Sequence, residues 1–409
     1  MSDPAVLRHV IGAITPASVA HGEAARRRVA AAGAPVLERL AAAIGAAQHT
    51  TRPRTARRTI VVCAGDHGVG DPGVALGPAH PTVVAAHASA DGSAALAQLA
   101  RASRAPIVLV DAGTREPAEL PASAIRLGRR PSDDLMAGPA MTVVDAALAL
   151  EAGIALAVAL EDGIGVSPKA AEPPRGVERS EMGGGGPAGS AGGAAGEAPR
   201  GIARSEIGGG GPVDLAGGAA GEAPRGIARS EIGGGGPAGL VGGAASEAPR
   251  GIALIAVGAL GVGADVASAA LLGAATGIPP TGLADPVAEA AGARGAELAG
   301  ASALEQLAAF GGPETGVLAG LMLAAASTHV PVILDSYATG AAALIAAALA
   351  PSIAGYLIAA HTGSFTHARI LAHLGLHPVF ELGLGHGEGT GAAMALALID
   401  HMAAVASRG

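Results

Sequence analysis

Short, continuous apolar runs alternate with alanine-rich stretches along most of the chain. TIVVCAG (Thr59 to Gly65), PIVLVDAG (Pro106 to Gly113), GIALIAVGA (Gly251 to Ala259), PVILDSY (Pro331 to Tyr337) and GYLIAAH (Gly355 to His361) are apolar at successive rather than alternate positions. That pattern predicts strands buried on both faces, as in a parallel sheet. Stretches such as GSAALAQLARA and GAAALIAAALA predict helices between them. The expected fold is α/β: a doubly wound, mostly parallel sheet with helices on both faces and a ligand beyond the carboxyl ends of the strands. The stretch from Ala24 to Ala47 predicts a helix broken at Gly-Ala-Pro, and a second helix follows Glu388. The two ends are expected to pack together as a small helical lobe.

A repeat interrupts this alternation. PRGVERSEMGGGGPAGSAGGAAGEA begins at Pro174, near-copies begin at Pro199 and Pro224, and the period is 25 residues. A fourth start at Pro249 turns apolar at once. A stacking repeat needs an apolar face on every unit, and these units carry GGGGP runs instead. They are expected to form a disordered insertion. The chain thus divides into an N-terminal helical segment (1–57), a first part of the α/β domain (58–163), the insertion (164–250), a second part (251–387) and a C-terminal helix (388–409).

Composition narrows the function. The mean hydropathy of +0.45 and the uncharged stretch from Ser336 to Ala368 raise a membrane reading. Pro351 and glycines at 340, 355 and 363 break that stretch, and no basic clusters or aromatic belt flank it. The N-terminus lacks the order of a signal peptide, so the expected location is the cytoplasm. A net charge of −8 with no Trp, two Tyr and three Phe argues against a nucleic-acid surface. The lone cysteine, Cys63, leaves no intrachain disulfide framework and no cysteine-based zinc site.

Asp66, His67, Asp111, Asp335, His361 and Glu388 all fall at expected strand ends. Singly, each reads as a turn or helix cap; together on one sheet edge they read as a site. His361, His367, His373, His377 and His386 lack the spacing that places two ligands on one helix face, so no metal is expected. GALGVGAD (Gly258 to Asp265) joins a strand to a helix and serves either as an anion site or as a tight turn. Glu388 stands apart because glycines at 385, 387, 389 and 391 surround it. Alanine would hold the following helix better, so the glycines point to a close approach of the backbone and a functional carboxylate.

These strings resemble one family. CAGDHGVGDPGVALGP (Cys63 to Pro78), LMAGPAMT (Leu135 to Thr142), GGPETGVLAGLMLAAASTHVPVILDSYATGAAAL and GEGTGAAMALALI match, in order and spacing, the nicotinate-nucleotide:dimethylbenzimidazole phosphoribosyltransferases. The resemblance spans about Ala30 to His401 without the insertion, and GEGTGA is its strongest part. It implies that Glu388 is the general base, and that the substrates are nicotinate mononucleotide and a benzimidazole base. It further implies a homodimer with no metal or organic cofactor. Asp66, His67, Gly258, Gly261, Gly263, Asp335, Ser336, His361, Gly387 and Gly389 are the corresponding candidate substrate-binding residues.

The chain also departs from that pattern. Ala259 stands where the family has a second glutamate, and Ala264, Asp265 and Val266 replace an Asn-Thr-Thr. The N-terminal Pro-Pro-Gly-Ser-Leu-Gly-Arg-Leu-Glu motif is reduced to AAGAPVLERL, and a family glutamine near Ala85 is absent. Glu181, Glu206 and Glu231 sit in repeat strings that resemble the missing glutamate motif. They read either as a duplicated copy that kept the acid or as plain repeat expansion. The expected activity is phosphoribosyl transfer; the alternative is a divergent paralogue that binds a nucleotide or benzimidazole-like ligand with little or no turnover. A membrane-embedded carrier is the third class.

Overall fold

The computed structural model describes residues 5–69, 73–163, 251–384 and 387–407. The 164–250 insertion with Glu181, Glu206 and Glu231, and also Gly385 and His386, lie outside the described residues.

Three helices, α1 (Ala5–Ala13), α2 (Val19–Val29) and α3 (Pro35–Ala47), precede the first strand, β1 (Arg58–Gly65). Next come α4 (Pro81–Asp91), α5 (Ala95–Ala102), β2 (Ile107–Gly113), the two-residue β3 (Ile125–Arg126) and α6 (Val143–Glu161). Beyond the insertion run β4 (Leu254–Leu260), α7 (Ala264–Thr276), α8 (Pro286–Glu297), α9 (Ala303–Phe310) and α10 (Pro313–Ser327). The chain finishes with β5 (Val332–Leu334), α11 (Tyr337–Leu349), β6 (Leu357–Ala359), α12 (Phe365–His373) and α13 (Thr390–Ala406). The six strands form one sheet in the order β3-β2-β1-β4-β5-β6, and every pairing is parallel. The connection order reverses between β1 and β4, which is where open α/β sheets place a ligand crevice.

The central positions of the long strands are apolar on successive residues because both faces are covered. Val61, Cys63, Val110, Ile255, Val257 and Leu334 point into a core shared with α6, α7, α10 and α11. Ile60, Val62, Ala64, Leu254, Ala256 and Ile333 point into the opposite core, with α3, α5 and α13. Helices α2, α3 and α13 pack on one another within this second layer. Burial pushes the Cys63 thiol pKa up, so it stays protonated and packs as a small apolar group.

Small residues set the helix spacing. A Cβ on Gly153 of α6 would fall 1.9 Å from the Val317 carbonyl oxygen of α10, and one on Gly320 would fall 2.0 Å from that of Leu150. Backbone therefore rests on backbone where α6 crosses α10. Helix α6 is the one described helix long and apolar enough to cross a membrane, yet Ala146, Leu150, Ile154 and Leu160 lie in the core. The uncharged 336–368 stretch is also no single span: it folds as α11, a 3-10 turn, β6 and the start of α12.

Candidate active site

A cavity of about 200 Å³ opens at the carboxyl ends of β4 and β5. Thr82, Ala85, Ala259, Gly261, Tyr337 and Glu388 are among its walls. A larger hollow of about 520 Å³ lies between the C-terminal ends of α7, α11 and α12, walled mainly by alanine and glycine. It contains no carboxylate, and its one amide side chain, Gln306, is committed to the carbonyls of Ala274 and Ala301. Size favours the second hollow, but chemistry favours the first.

Glu388 reaches the smaller cavity from the turn before α13. The Gly387 carbonyl accepts the N–H of Ala259 at 3.1 Å, and Ser336 Oγ donates to the same carbonyl at 3.4 Å. Gly389 follows with φ +101, a left-handed conformation that favours glycine. Its N–H donates to Asp335 Oδ2 at 3.0 Å, and that of Ala392 donates to Asp335 Oδ1 at 2.8 Å. Asp335 is wholly buried. Burial pushes its pKa up to about 6; the amides of Ala392, Gly389 and Gly391 pull against this, and the charge of Glu388 adds to it. The sequence pattern carries the strand through Tyr337, but β5 stops at Leu334 because the amides of Asp335 and Ser336 turn to the Thr339 hydroxyl.

His361 lies beneath this turn, with Nε2 3.8 Å from Asp335 Oδ1. Its ring stacks on Phe380 at 6.2 Å and meets His367 edge-on at 5.8 Å. Burial lowers both histidine pKa values, that of His367 to about 4, where the neighbouring His361 adds to the effect. His367 Nδ1 accepts the N–H of Gly363 at 3.2 Å. Both rings are buried supports rather than cavity walls. Among the described residues, no group of three or more His, Cys, Asp or Glu side chains is arranged to hold a metal ion.

Asp66 and His67 follow β1 and Asp111 lies near the end of β2; all three are buried, and none is among the cavity walls. Asp66 Oδ1 accepts the Thr82 hydroxyl at 2.6 Å and the Val262 N–H at 3.0 Å, while Oδ2 accepts the Arg115 N–H at 2.9 Å. One carboxylate thereby joins β1, α4, the β4 turn and the loop after β2. His67 is buried against Glu314, with Nε2 and Oε1 3.0 Å apart, and Ser132 Oγ is 3.3 Å from Nδ1. Burial alone would lower the His67 pKa, but the charge and hydrogen bond of Glu314 outweigh it and the net shift is upward. For Glu314 burial alone would raise the pKa, but His67 outweighs it and the net shift is downward. Asp111 Oδ1 takes the amides of Gly113 and Thr114 and the Thr114 hydroxyl. Glu314 escaped the sequence reading, although it is the one charged residue in PETGVLAGLMLAAAS.

The glycines of the 258–265 stretch act through close packing. A Cβ on Gly261 would lie 1.7 Å from the Gly65 carbonyl oxygen, so the β4 turn is pressed against β1. Gly263 begins α7 at φ +82. Asp265 in the first turn of α7 has the wrong sign for a neighbouring anion, whereas the first turn of α11 carries no acid and faces the cavity through Ser336, Tyr337 and Ala338.

A parallel α/β sheet with a carboxylate-bearing cleft beyond its switch point is the architecture of a doubly wound α/β enzyme. A phosphoribosyltransferase family model matches residues 14–167 and 241–408, and the chain belongs to that family. It is 31% identical over 423 residues to the nicotinate-nucleotide–dimethylbenzimidazole phosphoribosyltransferase of Desulforudis audaxviator, covering 98% of this chain and 94% of the relative. The enzyme of the same name from Roseiflexus sp. (strain RS-1) is 29% identical over 369 residues, covering 85% of this chain and 78% of its own length. The crystal structure of the nicotinate-nucleotide–dimethylbenzimidazole phosphoribosyltransferase from Thermus thermophilus superposes with a TM-score of 0.63 at 24% identity. That match covers 99% of this chain and 96% of the other and shows the shared fold.

Proposed function

We propose that this chain transfers the phosphoribosyl group of nicotinate mononucleotide to 5,6-dimethylbenzimidazole, giving α-ribazole 5'-phosphate and nicotinate. The names of the similar enzymes support the reaction. The observation that carries it is the position of Glu388, a carboxylate on the wall of a cavity at the carboxyl edge of the sheet whose other walls include Pro81, Ala85, Leu260 and Val262.

A benzimidazole ring nitrogen attacks the anomeric carbon from the face opposite nicotinate. The new C–N bond forms, the bond to nicotinate breaks, and nicotinate leaves with the electron pair. The configuration inverts. The attacking base carries a positive charge until its other ring nitrogen loses a proton, and Glu388 accepts that proton as general base. Pro81, Ala85, Leu260 and Val262 supply an apolar wall for the planar base. The 5'-phosphate sits at the start of α11, whose first turn carries no acidic residue and where Ser336, Tyr337 and Ala338 line the cavity.

We place the chain in the cytoplasm, where a nucleotide substrate is available, and read it as a homodimer. Val144, Leu148 and Val158, exposed along one side of α6, support the dimer. Incubation with nicotinate mononucleotide and 5,6-dimethylbenzimidazole, followed by separation of the products, tests the reaction. Formation of α-ribazole 5'-phosphate is expected. Binding of both substrates without product would overturn the proposal in favour of a ligand-binding paralogue.

A further inference from the structure

The backbone on either side of Glu388 is fastened to a different strand. Before it, the Gly387 carbonyl is held by the Ala259 amide of β4 at 3.1 Å. After it, the amides of Gly389 and Ala392 are held by the Asp335 carboxylate from the end of β5 at 3.0 and 2.8 Å. The N-cap of α13 is Gly389, which has no side chain to cap the first turn, so the carboxylate that does so comes from the end of a strand. Asp335 is fully buried and absent from the cavity wall. His361 Nε2, at 3.8 Å, is beyond hydrogen-bonding distance. Among the described residues, the Asp335 carboxylate thus grips the turn that presents Glu388 and the first turn of α13.

We propose that Asp335 is a positioning residue: by gripping the Gly389 and Ala392 amides it sets the direction in which the Glu388 carboxylate enters the cavity, and it contributes to turnover only through Glu388. The proposal rests on the reading of Glu388 as general base. It gives Asp335 a different task from substrate binding, since both carboxylate oxygens are occupied by backbone amides. Asn is the informative replacement. Its carbonyl oxygen can accept one amide, but its NH2 meets the other amide donor to donor, so one of the two holds is lost without a change of size.

The test combines Asp335→Asn, Glu388→Gln and the double variant in the full chain. Asp335→Asn is expected to lower kcat by about 10- to 100-fold, as for a misplaced catalytic group. KM for nicotinate mononucleotide should stay within about threefold, because the lost interaction acts on the transition state alone. The double variant should be no slower than Glu388→Gln by more than about threefold, since residues that act as a unit are not additive. A raised KM at unchanged kcat, or multiplicative losses in the double variant, would overturn the proposal. Hydrogen exchange over residues 387–392 reads the same grip without catalysis: exchange in Asp335→Asn is expected to be at least about tenfold faster than in wild type, and equal protection would overturn the proposal. Should Asp335→Asn not fold, Asp335→Ser carries the same measurements and outcomes. Failure of the wild-type protein to make product defeats the functional reading instead, and the exchange measurement still decides the role of Asp335.

Discussion

Gly258 of β4 and Glu388 touch backbone to backbone: a Cβ at position 258 would stand 2.5 Å from the Glu388 carbonyl oxygen and 2.6 Å from the Gly389 nitrogen. No side chain can bend away to relieve such a contact, so the strand and the turn that presents the acid share one fixed separation.

Gly258→Ala tests that separation. The added methyl must push the 388–389 peptide off β4 and carry the carboxylate with it. Displacement on the order of 1 Å lowers turnover by about 100-fold. Steady-state kinetics should show the loss in kcat, and full activity would mean that the turn tolerates the shift.

Ala259→Glu probes the wall beside Glu388. Position 259 is half-buried and lines the same cavity as Glu388, so a glutamate there would bring a second carboxylate to the reacting base. An increase in turnover by at least about threefold is expected, within the range contributed by a positioned acid or base. A fall in kcat measured under the same conditions would show that the cavity is closed to the longer side chain.

Glu314→Gln addresses the buried pair beyond the end of β1. Among the described residues Glu314 is the one carboxylate within salt-bridge distance of His67, so the change removes the direct ionic partner of a buried imidazole. Removing one member of such a pair lowers stability by about 3–5 kcal/mol. Thermal unfolding should register the loss as a clearly reduced Tm, and a Tm equal to that of the wild type would mean that the pair is energetically idle.

Acid should remove the contribution of His367, which packs against His361 just beyond β6. The His367 pKa is lowered by burial from its ordinary 6.5 to about 4 in the fold. The unfolded chain therefore takes up this proton first. The contribution is present in full above pH 6.5 and is lost as the pH falls through about 4. At about 1.4 kcal/mol per pKa unit, its ceiling is about 3 kcal/mol. Asp335 works the other way: its pKa, raised to about 6 from 3.8, gives a contribution that is complete below 3.8 and lost as the pH rises through about 6. The two contributions oppose each other over this window, so the test is a difference: the Tm of His367→Asn relative to that of the wild type should rise as the pH falls from 6.5 to 4. An unchanged slope would place the acid sensitivity elsewhere.

The parallel sheet was legible because β1, β2 and β4 are long apolar runs covered on both faces. The two-residue β3 carries no such run, and β5 is cut short by a hydroxyl bond between Thr339 and two nearby amides that hydropathy does not register. At the site, Glu388 stood out because glycines isolate it. The occupation of Asp335 did not, since its two amides lie 54 and 57 positions along the chain. Glu314 and His67, 247 positions apart, meet only once the sheet has formed.

The crossing of α6 and α10 has a consequence for how this protein tolerates change. At Gly153 and Gly320 the two helices meet through their main chains, with no room for even one carbon atom beyond Cα. In most cores the harmful substitution is one that removes volume; at this crossing it is one that adds volume. The weak points of the chain are therefore its smallest residues, and a single methyl at either glycine would drive the two helices apart.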